Sequence, residues 1–243
     1  MRLYISDIEK NNQKLIYIIM KHITLLILIL MNFSVFAQKT QETRRFNAPD
    51  KVIVDGKMQI NFHLAEDVEV VIESNKVSLK DIYTKYTNDE LLIRVEPLDI
   101  EGGKVVIDAY LPKFSRLTMS RGAETDIRND IFKDVVYLTA TSGAELETKL
   151  SVKSAEAKCT SGAFIELAGK AEYLEAKAHS GGKIRTDSLA LKRAKLIART
   201  GGFIAATPTE EAQVRSTFGG EIKLLKKAII KSTTLFGEIY LYE

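Results

Sequence analysis

The sequence predicts an all-β fold, a right-handed single-stranded parallel β-helix with about 19 residues per coil. Three observations carry this reading. Glycine returns at Gly122, Gly143, Gly162, Gly181, Gly201, Gly219 and Gly237, at spacings of 21, 19, 19, 20, 18 and 18 residues. A period near 20 marks a unit that cannot bury its own apolar face and must stack on copies of itself. Second, the residues around each glycine alternate: three positions after it stand Thr125, Leu146, Ile165, Ile184, Ile204, Ile222 and Tyr240, an apolar and inward column, while the flanking positions carry charges. A period of 2 within each coil and about 19 between coils describes stacked parallel strands, one rung about 4.8 Å above the next. Third, each coil has one sharp corner where glycine takes φ > 0 without steric cost, and connections between parallel strands are overwhelmingly right-handed.

In chain order, residues 1–37 read as a signal peptide: Lys21, an apolar run at 23–31, and Val35-Phe36-Ala37 with cleavage after Ala37. Residues 17–20 lengthen the apolar stretch enough for an uncleaved anchor, and Met20 is an alternative start. The polar residues 38–45 are expected to be a disordered lead-in. Residues 46–243 form one β-helix domain, with irregular strands and a cap over 46–116 and regular repeats over 117–243. Strands are expected at 52–54, 58–64, 68–72, 91–95 and 105–111 from alternation and β-branched content. Asp55-Gly56, Asn88-Asp89 and Gly102-Gly103 are turns between them, and 77–86 is ambiguous.

In the repeats, Leu117, Leu138, Ala157, Ala176, Leu196, Val214 and Ser232 form a second inward column, and Met119, Ala140, Cys159, Ala178, Ala198, Ser216 and Thr234 a third. Ser142, Ser161, Ser180 and Thr200 precede their glycines as a column of small hydroxyls suited to a tight bend. A leucine-rich repeat would need a recurring asparagine, a hexapeptide helix an aliphatic residue every six positions, and neither pattern occurs.

The leader holds four bases (Arg2, Lys10, Lys14, Lys21) and two acids (Asp7, Glu9), so the mature chain keeps 31 of 35 bases and 30 of 32 acids, a net charge of +1. That removes the basic excess a nucleic-acid partner needs. A single cysteine in an exported chain forms no internal disulfide, so stability must come from a core.

The order Phe46, Gly56, Leu91-Leu92-Ile93, Tyr110-Leu111-Pro112 and Ser120-Arg121-Gly122-Ala123, followed by Ser-Gly-Ala and Ser-Gly-Gly corners, resembles the exported bacterial family called the putative auto-transporter adhesin, head GIN domain, over 46–243. The resemblance implies an exported β-helical domain, at the periplasm or cell surface, with adhesion suggested by the family's name. It supplies no catalytic residues.

The residues themselves offer two candidate sites. Glu124, Asp126, Glu145, Glu147 and Glu166 occupy outward positions of three successive coils; carboxyl pairs one rung apart can do acid/base work or hold a cation. Phe164 and Phe203 stand outward where other coils carry charges, with Lys183 between them. They form either a platform for a sugar ring or a partner's side chain, or a packed triplet in which Lys183 lays its stem across both rings. Phe218 and Phe236 are expected to stack on each other structurally. His63 and His179 lack metal-ligand spacing, and no nucleophile motif surrounds the corner serines. No catalytic residue, metal or cofactor is expected. The residues point first to a non-enzymatic exported binding module for a carbohydrate or an envelope protein. A polysaccharide-active enzyme using the acidic columns and a purely structural envelope protein are the alternatives. No nucleic-acid partner is expected, and contact with the membrane only through an uncleaved leader. The strand formers near the C-terminus suggest a homo-oligomer through that edge.

Overall fold

In the computed structural model, residues 20–22, 40–96, 102–225 and 228–242 are described. The expected signal peptide lies outside this range except for 20–22. No helix among the described residues is long and apolar enough to cross a membrane.

Thr40–Glu243 is one compact unit, a β-solenoid of about seven turns spaced roughly 19 residues apart. The regular part runs through Phe114–Ser120 (β8), Glu124–Ile127 (β9), Phe132–Ala140 (β10), Glu145–Cys159 (β11), Phe164–His179 (β12), Lys183–Arg199 (β13), Phe203–Thr217 (β14), Glu221–Leu225 (β15), Ile229–Leu235 (β16) and Glu238–Tyr242 (β17). Neighbouring coils pair in parallel throughout, as in Leu138↔Ala157, Ala157↔Ala176 and Ala176↔Leu196. In β11 to β14 each long strand bends, so its first part forms the face after the corner and its last part the face before the next one. The three inward columns from Leu138 to Val214, Ala140 to Ser216 and Leu146 to Ile222 are all buried, whereas Ser232 and Thr234, expected inside, continue two of them in register but are exposed in the last coil. The polar members are satisfied there: Thr125 donates to the Ile60 carbonyl at 2.6 Å and Ser216 to the Gly220 carbonyl at 2.6 Å.

The corner involves two left-handed residues rather than one. Arg121, Ser142, Ser161, Ser180, Thr200 and Phe218 have φ of 47–55°, and the glycine after each has φ of 71–75°. A bond closes the turn, from Ala144 N to Thr141 O at 3.2 Å and from Gly202 N to Arg199 O at 2.9 Å. These φ values and bonds are those of a type I′ turn, so the hydroxyl column expected to precede the bend is part of it. Glycine amides then link corners, with Gly143 N donating to Ser161 O and Gly162 N to Ser180 O, each at 3.2 Å.

The last corner departs from the expected register. Leu235 pairs with Thr217 and Glu238 with Glu221, leaving two residues where the previous corner has three. Gly237 therefore follows the left-handed Phe236 in the place of the small third residue. A Cβ on it would lie 2.3 Å from Ser216 Oγ. Ile239 becomes the inward residue, paired with Ile222, and Tyr240, expected inside, points out beside Lys223.

At the other end, Lys51–Asp55 (β2) and Gln59–Leu64 (β3) are already regular rungs, as are Glu90–Val95 (β6) and Lys104–Leu111 (β7). The chain's first rung is not the outermost: β2 lies between β6 and β8, and β3 pairs with β7 and β9. The irregular cap is smaller than 46–116. It consists of Thr40–Phe46 (β1), Val68–Asn75 (β4), a 3-10 turn at Leu79–Asp81 and Ile82–Thr87 (β5). Here β1, β4 and β7 form an antiparallel ladder, and β5 runs antiparallel to β6. The stretch 40–45, expected to be disordered, is thus strand β1. Its polarity reflects an edge position, where charged side chains discourage pairing with another chain.

Candidate functional site

Alternation in β9, β11, β12, β13, β14 and β15 places one row of side chains outward on the face after the corner. The row passes Glu124, Glu145, Phe164, Lys183, Phe203 and Glu221, each paired in register with the next. A parallel row pairs Asp126 with Glu147 and Glu147 with Glu166, then Glu166 with Arg185. The five sequence-predicted carboxylates therefore share one face. Four of them, Glu124, Asp126, Glu145 and Glu147, line with Gln59 and the buried Thr125 a shallow groove of about 230 Å³ that Glu166 does not reach. This volume is below the roughly 300 Å³ at which small-ligand pockets begin. Asp126 is occupied by Arg128, Nε to Oδ2 at 2.8 Å. No group of three or more His, Cys, Asp or Glu side chains among the described residues is placed to hold a metal ion.

The Phe203 ring is met by a lysine of the neighbouring row, in which Glu166, Arg185, Ala205 and Lys223 follow one another in register. Lys223 Nζ stands 5.4 Å from the centroid of Phe203 and 5.9 Å from that of Tyr240, within cation–π range. A hydrogen bond from Lys223 to Glu221, whose atoms lie 3.2 Å apart, heads the interactions that raise the ammonium's pKa and hold its charge. Phe164 and Phe203 are half-buried and Lys183 exposed. The shortened last corner turned Tyr240 outward into the neighbouring row, in register with Lys223, so its place there could not be found by counting residues from a glycine.

Two polar clusters depend on the intercalated first rung. On β3 and β7, Asp108 Oδ1 accepts from Asn61 Nδ2 at 3.0 Å and lies 2.9 Å from His63 Nε2, while the His63 ring stacks on Tyr110 at 4.7 Å. At the corner, the Asp55 carboxylate accepts from Arg121 Nη2 at 2.6 Å, from Arg94 Nε at 2.9 Å and from Ser120 Oγ at 2.7 Å. Burial pushes its pKa up, but the hydrogen bonds from Arg121 and Ser120 and the two guanidinium charges outweigh that and hold it below 3.8. This explains why the first corner carries Arg121 where the next four carry serine or threonine. The strand periodicity shows Asp55 and Arg121 separately; only the rung order brings them together.

Other reactive groups are quiet. Cys159 is fully buried and burial pushes its thiol up to about 11, so it is protonated at neutral pH and packs as a small apolar residue. Phe218 and Phe236 follow one another in the corner column but project into solvent, 62% and 81% exposed, and each has a left-handed φ. The expectation that they stack as structural residues is thus replaced by an exposed aromatic end. Leu235, Tyr240, Leu241, Tyr242 and Ile229 extend it.

Residues 48–228 match the family described as "Putative auto-transporter adhesin, head GIN domain". The structure is similar to that of a putative adhesin from Bacteroides fragilis, with TM-score 0.67 and 14% identity over 84% of this chain and 97% of that one. A putative adhesin from Parabacteroides merdae gives TM-score 0.67 and 12% identity over 86% and 98%. A protein from Parabacteroides distasonis described as a putative lipid binding protein gives 0.64 and 11% over 85% and 98%. At such identities the likeness establishes the fold alone. The curated proteins contain no match.

Proposed function

Because this chain belongs to the auto-transporter adhesin, head GIN domain family, we propose that it is an exported, non-enzymatic binding domain that holds a carbohydrate polymer along Phe164, Lys183, Phe203, Lys223 and Tyr240. The observation that carries this is the pairing of rings with cations on two adjacent rows: Phe164, Lys183 and Phe203 follow one another on one, Lys223 and Tyr240 on the next, with Lys223 within reach of both Phe203 and Tyr240. Aromatic faces suit the apolar faces of sugar rings. A long flat surface fits an extended polymer better than a small substrate that needs a deep pocket. The shallowness of the acidic groove and the ion-paired Asp126 support binding over catalysis. In this reading residues 1–37 are removed on export, and the domain works in the periplasm or at the cell surface.

A glycan array followed by calorimetry tests it. Phe203→Ala should weaken binding of the captured glycan about tenfold, the scale of a truncated binding hot spot, with Lys149→Ala as a control that leaves affinity unchanged. Capture of an envelope protein and no glycan would overturn the carbohydrate assignment, and degradation of the glycan would favour the enzyme.

The C-terminal end supports a homo-oligomer. Apolar side chains from Phe218 to Tyr242 are exposed, and among the described residues no strand covers the outer edges of β16 and β17. Light scattering on the exported chain, whose N-terminus is expected at Gln38, should give a dimer that Leu235→Lys with Leu241→Lys converts to monomer. A parent that is monomeric at high concentration would refute this.

A further inference from the structure

The face before the corner has a charge imbalance that the near-neutral mature chain conceals. From the row Ser154, Tyr173, Arg193, Glu211 and Ile229 to the corner, the outward positions hold three acids, each taken by a lysine; the exposed Glu172 and Glu210 stand one residue outside these rows. Lys177 lies 2.9 Å from both Glu156 and Glu175, Lys195 3.2 Å from Glu175, and Lys231 3.2 Å from Glu211. Three further cations, Lys158, Arg199 and Arg215, make no ion pair among the described residues, while Arg193 faces Glu211 in register across the rung. The stacking places them together: Lys158 pairs in register with Lys177, Lys177 with Ile197 and Ile197 with Arg215, while Arg199 pairs with His179. Like charges on adjacent rungs cost stability. A groove of about 580 Å³ runs between Lys195, Arg215 and Lys231, with Gln213, Ser232 and Thr233 as hydrogen-bonding groups along it. His179 senses the same field: burial first, then the charges of Arg199, Lys158 and Lys177, lower its pKa.

We propose that this face is a second binding site, for an acidic polysaccharide whose carboxylate or sulfate groups meet Lys158, Arg199 and Arg215. The charge complementarity is direct, because the three acids within these rows are already ion-paired and Lys158, Arg199 and Arg215 are not. The flanking amide and hydroxyls suit sugar hydroxyls, and Tyr173, paired in register with Arg193, offers a ring for a sugar to lie on. Single-stranded nucleic acid needs successive aromatic platforms for its bases, and on this face Tyr173 stands without a second ring one rung away. An anionic bilayer would draw on a contiguous set of exposed aliphatic side chains; the outward Ile197 is half-buried, and the exposed Val135 and Ile229 stand on β10 and β16, several rungs apart. The site lies on different residues from the aromatic row, so the two readings fail independently.

The test titrates the protein with polygalacturonate, neutral dextran, duplex DNA and phosphatidylglycerol vesicles at low and moderate salt. Polygalacturonate should bind and dextran should not. Affinity should fall as salt rises, as expected when charged contacts release counterions. Arg199→Ser with Arg215→Ser should lower the affinity at least tenfold while the melting temperature holds or rises, and Lys158→Gln should lower it by a smaller factor. The His179 pKa, followed by NMR, should rise when polygalacturonate binds, because the added anion offsets the neighbouring cations. No salt-dependent binding of polygalacturonate, binding unchanged in the arginine variants, or stronger binding of DNA or vesicles would each overturn the proposal.

Discussion

Gly169→Ala should be the most damaging single-methyl change in the regular coils, costing about 4 kcal/mol, the sum of a strained backbone and an overpacked contact. Gly169 lies inside β12 with φ of 99°, and a Cβ there would stand 2.2 Å from the Leu150 carbonyl oxygen of the preceding coil. That neighbour is backbone paired in the ladder, Leu150↔Gly169 and Gly169↔Leu189, so it cannot move without disturbing the rungs on either side. Gly143→Ala is the matched comparison. Its φ is 72°, but nothing lies within 4 Å of the added methyl, so only the left-handed conformation is penalised, at about 1 kcal/mol. For a chain of this size the first change should lower the melting temperature by about 10 °C and the second by about 3 °C, read by circular dichroism. Equal melting temperatures would show that the coils adjust freely and that the close approach at Gly169 is not a constraint.

Asp55→Asn should cost about 2–3 kcal/mol, because it removes the anion from a mostly buried cluster and leaves Arg121 and Arg94 facing a neutral group. The loss should depend on pH in a defined direction. The folded-state pKa of Asp55 lies below 3.8, under the ordinary unfolded value near 3.9. Its contribution is therefore complete above about pH 4 and is lost as pH falls through the folded value. The gap in melting temperature between parent and Asp55→Asn should be constant from pH 7 to about pH 5 and close below about pH 4. A gap that persists unchanged into acid would mean that the charge on Asp55 is not what joins β2 to β6 and β8. Arg121→Ser, which restores the residue type of later corners, should reproduce part of the loss at neutral pH, since Arg94 and Ser120 still donate to the carboxylate.

The regular coils were readable because their rule is local. A glycine every 19 residues or so and alternation on either side determine which side chains enter the core, and Leu146, Ile165, Ile184, Ile204 and Ile222 follow that rule without exception. The same rule put Glu124, Glu145, Phe164, Lys183 and Phe203 in one outward row. It misplaced Tyr240, because the final corner is one residue shorter and a one-residue change in register moves a side chain to the opposite face. It also passed over Gly169, although an isolated glycine within a strand is a sign of close backbone approach.

What the sequence determined by itself is the period, the corner and the inside and outside of each rung, since these follow from φ, ψ and alternation over a few neighbouring residues. Only the tertiary structure decided the order of the rungs at the N-terminal end, where β2 and β3 slip between later strands, and hence the Asp55 and Asp108 clusters. It also decided that β1 is an ordered edge, that Lys223 stands over Phe203, and that Lys158, Arg199 and Arg215 share one face without ion pairs. The physical reason is that a repeat encodes how a rung stacks but not which rung it stacks on. Contacts between side chains far apart in the chain depend on that choice, and it is made by burial of the whole cylinder rather than by any single corner.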